Sequence, residues 1–436
     1  MRTRVLSTAT EEDSIMFKPS SRRRLIAAGM TVALLLTGMT VTRSRPAQAT
    51  ESTADSFAFR LFGGADDPAR LAQVDVSRYR LFLLSPYMRR IAAAVKQTRA
   101  DALVYVYKDA SSTRRDLNQP ASQWCNADGG TIGRDWGVDY CHTVANHPDW
   151  FLTVGGKRFE YVGYPSHWHA DVGAAGYKER WAANVLAELR ASTVIDGVFV
   201  DNQLTKIGAY TPGGVAPDQY AGNNAGHAAY QSFIDYVSQQ LRDGGYGIMA
   251  NMADARLFPG LWDQYSTHQS GGFDEFWTTF GGTESEPNNL PAYEPSGWQV
   301  QLAEVETNAA RGKLGVFSAQ TSGGRCLECA RYGFATFLLG DDGSQLFMES
   351  NVDAVVGDWV ATRDMYDWQF GAATGARTQP QPNLYQRTFE RGLVLVNADP
   401  QTTRRVTLPT AYLDESGQRV TTIDLPARRA RLLRTP

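Results

Sequence analysis

A (β/α)8 TIM barrel followed by a small C-terminal all-β domain is the architecture that this 436-residue sequence predicts. Three observations carry the expectation. Eight short runs rich in β-branched and aromatic residues recur along the chain with helical patterns between them, the signature of parallel β-α units. No Gly-x-Gly-x-x-Gly follows the first run and no P-loop occurs, which disfavours a doubly wound sheet. After Trp368, a stretch rich in Gly, Ala, Pro and Gln gives way to short alternating runs separated by turn residues.

In chain order, residues 1–49 read as an export signal. Ser21-Arg22-Arg23-Arg24-Leu25-Ile26 leads into an apolar stretch of 16 residues, 26–41, and Ala47-Gln48-Ala49 offers the small residues at which a signal peptidase cuts. The paired arginines resemble a twin-arginine signal. The alternative, an uncleaved anchor, needs about 20 apolar residues. No later stretch is apolar enough to span a bilayer, so the expectation is a secreted chain without stable membrane insertion.

The barrel is expected over 50–369, with strands at 79–84 (YRLFLL), 102–107 (ALVYVY), 167–172 (HWHADV), 196–200 (DGVFV), 246–251 (YGIMAN), 273–278 (FDEFWT), 314–319 (LGVFSA) and 334–339 (FATFLL). Residues 177–192 place Trp181, Val185 and Leu189 on one helical face, and 227–242 do the same with Tyr230, Phe233, Ile234, Val237 and Leu241. Residues 370–382 read as a linker. Residues 383–436 read as a small β-sandwich-like domain, too short to bury much core by itself and therefore expected to be structural before it is carbohydrate-binding.

Composition narrows the function classes. Hydrophobic residues make up 43%, too many for a disordered chain, and four cysteines are too few for a disulfide scaffold. No basic run follows the N-terminus, so a nucleic-acid partner is not expected. Residues 1–49 hold eight Lys/Arg and three Asp/Glu, so the remainder carries 35 against 43, a formal charge of −8 rather than the −3 of the whole chain. Ten Trp, 19 Tyr and 19 Phe supply the flat faces that sugar clefts use. In an exported protein the local pairs Cys125–Cys141 and Cys326–Cys329 are the leading disulfides, although four cysteines allow three connectivities. A zinc site adding His142, or a redox Cys-x-x-Cys, is the sharper and less supported alternative.

Polar residues at the C-terminal ends of barrel strands form one ring over the mouth, where such barrels carry their chemistry. The ring comprises Ser85, Lys108, Asp109, His169, Asp171, Asp201, Asn202, Asn251, Glu275 and Gln320. Asp201 ends an apolar run directly; the bland reading is a loop cap. Glu275, between Phe273 and the Phe276-Trp277 pair, is expected among aromatics that hold its carboxyl protonated; the bland reading is a structural Glu. Two carboxylates so placed are the minimum equipment for cleaving a glycosidic bond, and they need no metal or cofactor. No Gly-x-Ser-x-Gly elbow or His-Glu-x-x-His offers a rival set.

The stretch 79–202 resembles hypothetical glycosyl hydrolase family 15, whose barrels are similar to those of the α-1,4-polygalactosaminidase type. The likeness rests on Val104-Tyr105-Val106-Tyr107-Lys108, His147-Pro148-Asp149-Trp150-Phe151-Leu152, Tyr164-Pro165, Asp171-Val172-Gly173, Tyr177-Lys178-Glu179-Arg180-Trp181 and Asp196-Gly197-Val198-Phe199-Val200-Asp201-Asn202. Residues 389–397 (FERGLVLVN) are similar to the β domain that follows many such barrels. The resemblance implies a hydrolase acting on an oligo- or polysaccharide, with Asp201 the best-matched catalytic position. Barrels acting on α-galactosides and α-glucosides look similar in placing a nucleophilic Asp on strand four and the acid/base on strand six, which points to an α-linked substrate. On that reading Glu275 protonates the leaving oxygen and Asp201 attacks. Trp168, Tyr210 and Trp277 stack on sugar faces, while Lys108, Asp109, His169, Asp171, Asn202, Asn251 and Gln320 contact hydroxyls. Two other classes stay open. A non-catalytic polysaccharide-binding barrel would tolerate carboxylates more than about 12 Å apart. A metal-dependent polysaccharide deacetylase would use His167, His169 and Asp171 together.

Overall fold

A computed structural model of the chain describes residues 56–293, 295–350 and 363–436. The expected export signal at 1–49 lies outside these residues. Eight parallel strands close into a barrel: β1 (Phe57–Leu61), β2 (Tyr79–Leu84), β3 (Leu103–Asp109), β4 (Gly197–Asp201), β5 (Gly247–Asn251), β6 (Gly271–Asp274), β7 (Leu314–Gln320) and β8 (Leu346–Ser350). Each pairs with the next, and β8 pairs with β1 to complete the ring.

Two of the expected strands are something else, and two real ones went unread. Residues 334–339 belong to helix α6 (Leu327–Gly340), which is buried on nearly every side from Cys329 to Leu339. An apolar run of that kind has no polar face to betray its period, so it reads as a buried strand. His167–His169 is a three-residue strand paired with Ser112–Arg114 in the long excursion between β3 and α2 (Tyr177–Arg190), outside the barrel. The missing members are β1 and β8, both five residues long. One spurious strand offsets one missed strand ahead of β4, so Asp201 still ends the fourth strand, while Glu275, expected within the sixth, lies directly after it.

The helices pack where their apolar faces direct them. Trp181, Val185 and Leu189 of α2, and Tyr230, Phe233, Ile234, Val237 and Leu241 of α3 (Asn223–Asp243), are all buried. Helices α1 (Arg89–Thr98), α4 (Leu261–Ser266) and α5 (Trp298–Ala310) lie between consecutive barrel strands elsewhere in the ring. Helix α2 also anchors the mouth, because Trp181 Nε1–H donates to the Asp109 carbonyl at 3.0 Å and the Tyr177 hydroxyl donates to the Ala110 carbonyl at 2.8 Å.

The C-terminal residues form a six-stranded antiparallel sheet: β9 (Thr378–Gln381), β10 (Leu384–Phe389), β11 (Gly392–Asn397), β12 (Arg404–Leu413), β13 (Arg419–Leu425) and β14 (Arg429–Arg434), in the order β9-β10-β11-β14-β12-β13. Strand β9 lies inside the stretch expected as linker. One face of the sheet (Tyr385, Val394, Val396, Leu432) joins the apolar shell around the barrel, and the other (Leu395, Val406, Leu408, Leu433) closes its own small core. Arginines bind it to the helices: Arg377 pairs with Glu306 of α5 at 2.6 Å, and Arg387 donates to the Leu338 and Asp341 carbonyls at the end of α6. Both expected disulfides are present, Cys125–Cys141 and Cys326–Cys329. Among the described residues no helix is long and apolar enough to cross a membrane.

Candidate active site

Side chains in a strand alternate faces, and that period of two builds the site. Ala58, Leu81, Leu83, Tyr105, Phe199, Met249, Phe273, Val316, Leu346 and Met348 fill the barrel interior. Two residues further on, the same rows reach the mouth: Ala58 leads to Arg60, Phe199 to Asp201, Met249 to Asn251 and Phe273 to Glu275, while Tyr105 leads to Tyr107 and then Asp109. These residues surround a cavity of about 650 Å³, a size suited to a small ligand or a few sugar rings.

At its floor, Asn251 Nδ2 donates to Asp201 Oδ1 and to Glu275 Oε2, each at 3.0 Å. Because both oxygens are 3.0 Å from one nitrogen, they lie at most about 6 Å apart. Asp201 also accepts from the Tyr107 hydroxyl at 2.8 Å and from the Asn202 backbone N–H at 2.8 Å. Burial holds Tyr107 well above the ordinary phenol range, which keeps it a donor. Removal from water, then the negative charges of Glu275 and Asp109, push the Asp201 carboxyl up to about 6. Glu275 is set differently from the expectation. Arg60 of β1 grips its Oε1 at 2.8 Å, and Gln320 Nε2 donates to its backbone carbonyl at 2.7 Å, so a guanidinium holds its carboxylate.

A third carboxylate stands beside the pair. Asp109 and Asp201 face each other in the β3–β4 register. Asp109 accepts from the Ser111 and Ser112 backbone N–H groups, the Ser112 hydroxyl and Asn202 Nδ2, at 2.7 to 2.9 Å. Burial nonetheless raises it to about 6 against these bonds. Asn202 takes the left-handed backbone conformation, φ +57°, which an Asn tolerates and which turns its N–H back towards Asp201.

The walls come from loops. Tyr210 stacks on Tyr161 (4.6 Å between centroids, 11° between planes), with Tyr164 edge-on to Tyr210 at 5.6 Å. Phe62, Tyr87, His167 and Phe276 add to the lining, and two ion pairs, Arg114–Asp135 (3.2 Å) and Lys206–Asp254 (2.9 Å), edge it. Five carboxylates therefore face three Lys/Arg side chains in the cavity.

Of the residues expected there, Asp109, Asp201, Asn202, Asn251 and Glu275 line this cavity, as does Tyr210. Ser85, the first of the expected ring, also lines it and accepts from the Gly63 N–H at 2.9 Å. The others lie elsewhere. Lys108 is one residue out of phase: it points into the helix layer, fully buried, and pairs with Glu188 of α2. Trp168 packs on Tyr140 and Phe151 with the Arg158 guanidinium over its ring. His169 is fully buried against Tyr161, where desolvation lowers it to about 4, and Asp171 accepts from the Tyr220 hydroxyl. His167, His169 and Asp171 do not gather: among the described residues the one cluster of potential ligands is Cys125, Asp139 and Cys141, whose sulfurs form a disulfide. Trp277 is fully buried and donates to the Gln301 carbonyl at 3.0 Å. Gln320 supports Glu275 from below rather than lining the cavity. Sequence reading missed Arg60, Tyr107, Tyr161, Tyr164, Arg114 and Lys206. For Tyr107 and Arg60 the signal existed, since each continues an inward-facing row.

Comparison with known proteins places the chain in a family. No curated protein matches the chain. Similar solved structures include the glycoside hydrolase domain of PelA from Pseudomonas aeruginosa (12% identity, covering 70% of this chain and 97% of that one, TM-score 0.42) and an alpha-amylase from Anoxybacillus (11%, 89% and 99%, 0.44). Another is a GH27 β-L-arabinopyranosidase from Geobacillus stearothermophilus (8%, 89% and 97%, 0.45). A family model matches residues 96–393, more than half of the sequence, and on that match the chain belongs to hypothetical glycosyl hydrolase family 15.

Proposed function

We propose that this protein is an exported glycoside hydrolase in which Asp201 and Glu275 cleave an α-linked glycosidic bond with retention of configuration. The single observation that carries the reading is the bridging of both carboxylates by Asn251 Nδ2. Retaining enzymes hold their carboxyl groups about 5–5.5 Å apart and inverting ones about 6.5–9.5 Å. A limit of about 6 Å fits the first class and falls short of the second. The same closeness supports a catalytic barrel over one that only binds polysaccharide.

Asp201 is the nucleophile on this reading. Three donors fix its orientation, and above pH about 6 it is ionised. Glu275, about a quarter exposed and nearer solvent, protonates the leaving oxygen and then takes a proton from the incoming water. The charges of the two carboxylates act on each other. The α-linkage rests on the strand-four and strand-six placement of the pair. The carboxylate excess in the cavity suits a neutral or amine-bearing glycan. The two disulfides fit an oxidising compartment and so support export.

A screen of the purified protein against α-linked glycans, with Asp201→Ala as control, tests the proposal. Product release that disappears in the variant supports it; release that persists unchanged removes Asp201 from the mechanism.

A further inference from the structure

Nine large apolar side chains stand exposed among the described residues, and all nine lie in segments between the C-terminal end of a barrel strand and the following helix. None belongs to the opposite end of the barrel or to the C-terminal sheet. Scattered exposed apolar residues are ordinary, but confinement to the face that carries the cavity is not. Tyr87, 39% exposed, follows β2, and Phe276, also 39% exposed, follows β6; in an eight-stranded ring these strands are diametrically opposed. Both rings line the cavity, so it has an aromatic lip at each end of one diameter.

Beyond Tyr87 the cavity does not stop. A second hollow of about 300 Å³ shares Tyr87, Arg114 and Asp135 with the first. Its floor is the stacked pair Trp124 and Trp136 (6.3 Å, 22°), with the Arg114 and Arg134 guanidinium groups over their faces. Guanidinium donors over flat rings are chemistry suited to sugar hydroxyls. The two hollows together thus make a trough from Phe276 over the carboxylate pair and past Tyr87 to the tryptophans, with room for sugar rings on both sides of the pair.

Resting on the glycosidase reading, we propose that the protein takes a polysaccharide chain lengthwise across this trough and cuts it internally. Each cut consumes one water: the C1–O bond breaks, the new C1 receives the hydroxyl as a reducing end, and the departing oxygen keeps the proton as a new non-reducing end.

The test uses native gels cast with soluble starch, dextran, pullulan or poly-α-1,4-galactosamine. The inactive Asp201→Asn protein is expected to be retarded in at least one. Adding Tyr87→Ala, or Phe276→Ala, raises the polymer concentration needed for equal retardation about tenfold. Both rings are exposed, so an unchanged Tm verifies that each variant is folded. Free migration in all four gels, or retardation indifferent to both ring variants, overturns lengthwise binding. Wild-type protein acting on the retarding polymer should lower its mean chain length while mono- and disaccharides stay a trace of the new reducing ends. Release of those small sugars from an otherwise intact polymer overturns the internal cut. A polymer that is bound and left uncut supports the trough and overturns the hydrolase reading on which the cut depends.

Discussion

Asp201 and Glu275 each accept a hydrogen bond from the same nitrogen, Nδ2 of Asn251, at 3.0 Å. One amide therefore fixes the spacing of two carboxylates carried by β4 and by the turn after β6. Neighbouring negative charges cost free energy in a cavity largely removed from water, and Arg60 and Tyr107 offset that cost from opposite sides.

The pH dependence follows from Asp201. Its carboxyl is raised to about 6, so it gains its proton as pH falls through that value and can no longer attack. We expect kcat/KM to fall tenfold per pH unit below about 6. Removing the neighbouring charge with Asp109→Asn lowers Asp201 and moves this limb to more acid pH. An acid limb near pH 4 in the wild type would show that Asp201 is not the titrating group.

Arg60 is expected to matter through Glu275 rather than through the sugar. Arg60→Met removes the 2.8 Å ion pair and frees the carboxylate to rotate, so kcat should fall by about 10- to 100-fold with KM changing less than threefold. Arg60→Lys keeps a charge without the planar fork and should recover part of the loss. Steady-state kinetics on a cleaved glycan check both, and a change confined to KM would place Arg60 on the substrate instead.

Lys108, by contrast, should be a stability residue. Lys108→Met leaves Glu188 buried with only Arg89 nearby at 3.2 Å, and unpairing a buried charge costs about 3 kcal/mol. Urea unfolding should show that loss, and replacing Glu188 with Leu as well should recover much of it. The folded fraction should keep its kcat/KM.

The contrast between Lys108 and Asp109 also marks how far the amino-acid sequence could be read. Strand runs were legible, and with them the barrel, Asp201, Asn251 and Glu275, because apolar runs ending in a polar residue are local features. The face of the strand was not applied: counting by two from Tyr105 keeps Asp109 and discards Lys108. Arg60 continues an inward-facing row, but β1 is short and precedes the first strand run legible in the sequence, so that row goes uncounted. The tyrosine wall depends on how the 110–176 excursion folds over the mouth, which no local period encodes; this is why Trp168, His169 and Asp171 were expected at the site and instead lie in the packing of that excursion. Trp277 failed for a simpler reason, since its indole N–H finds the Gln301 carbonyl in the helix layer.

Retention of configuration is the most direct consequence of a carboxylate pair held within about 6 Å. Proton NMR of the first product released from an α-linked glycan, recorded before mutarotation, reads it. The α-anomer should appear first and equilibrate afterwards; a β-anomer appearing first would mean that a water stands between Asp201 and Glu275 and that the pair does not work as described.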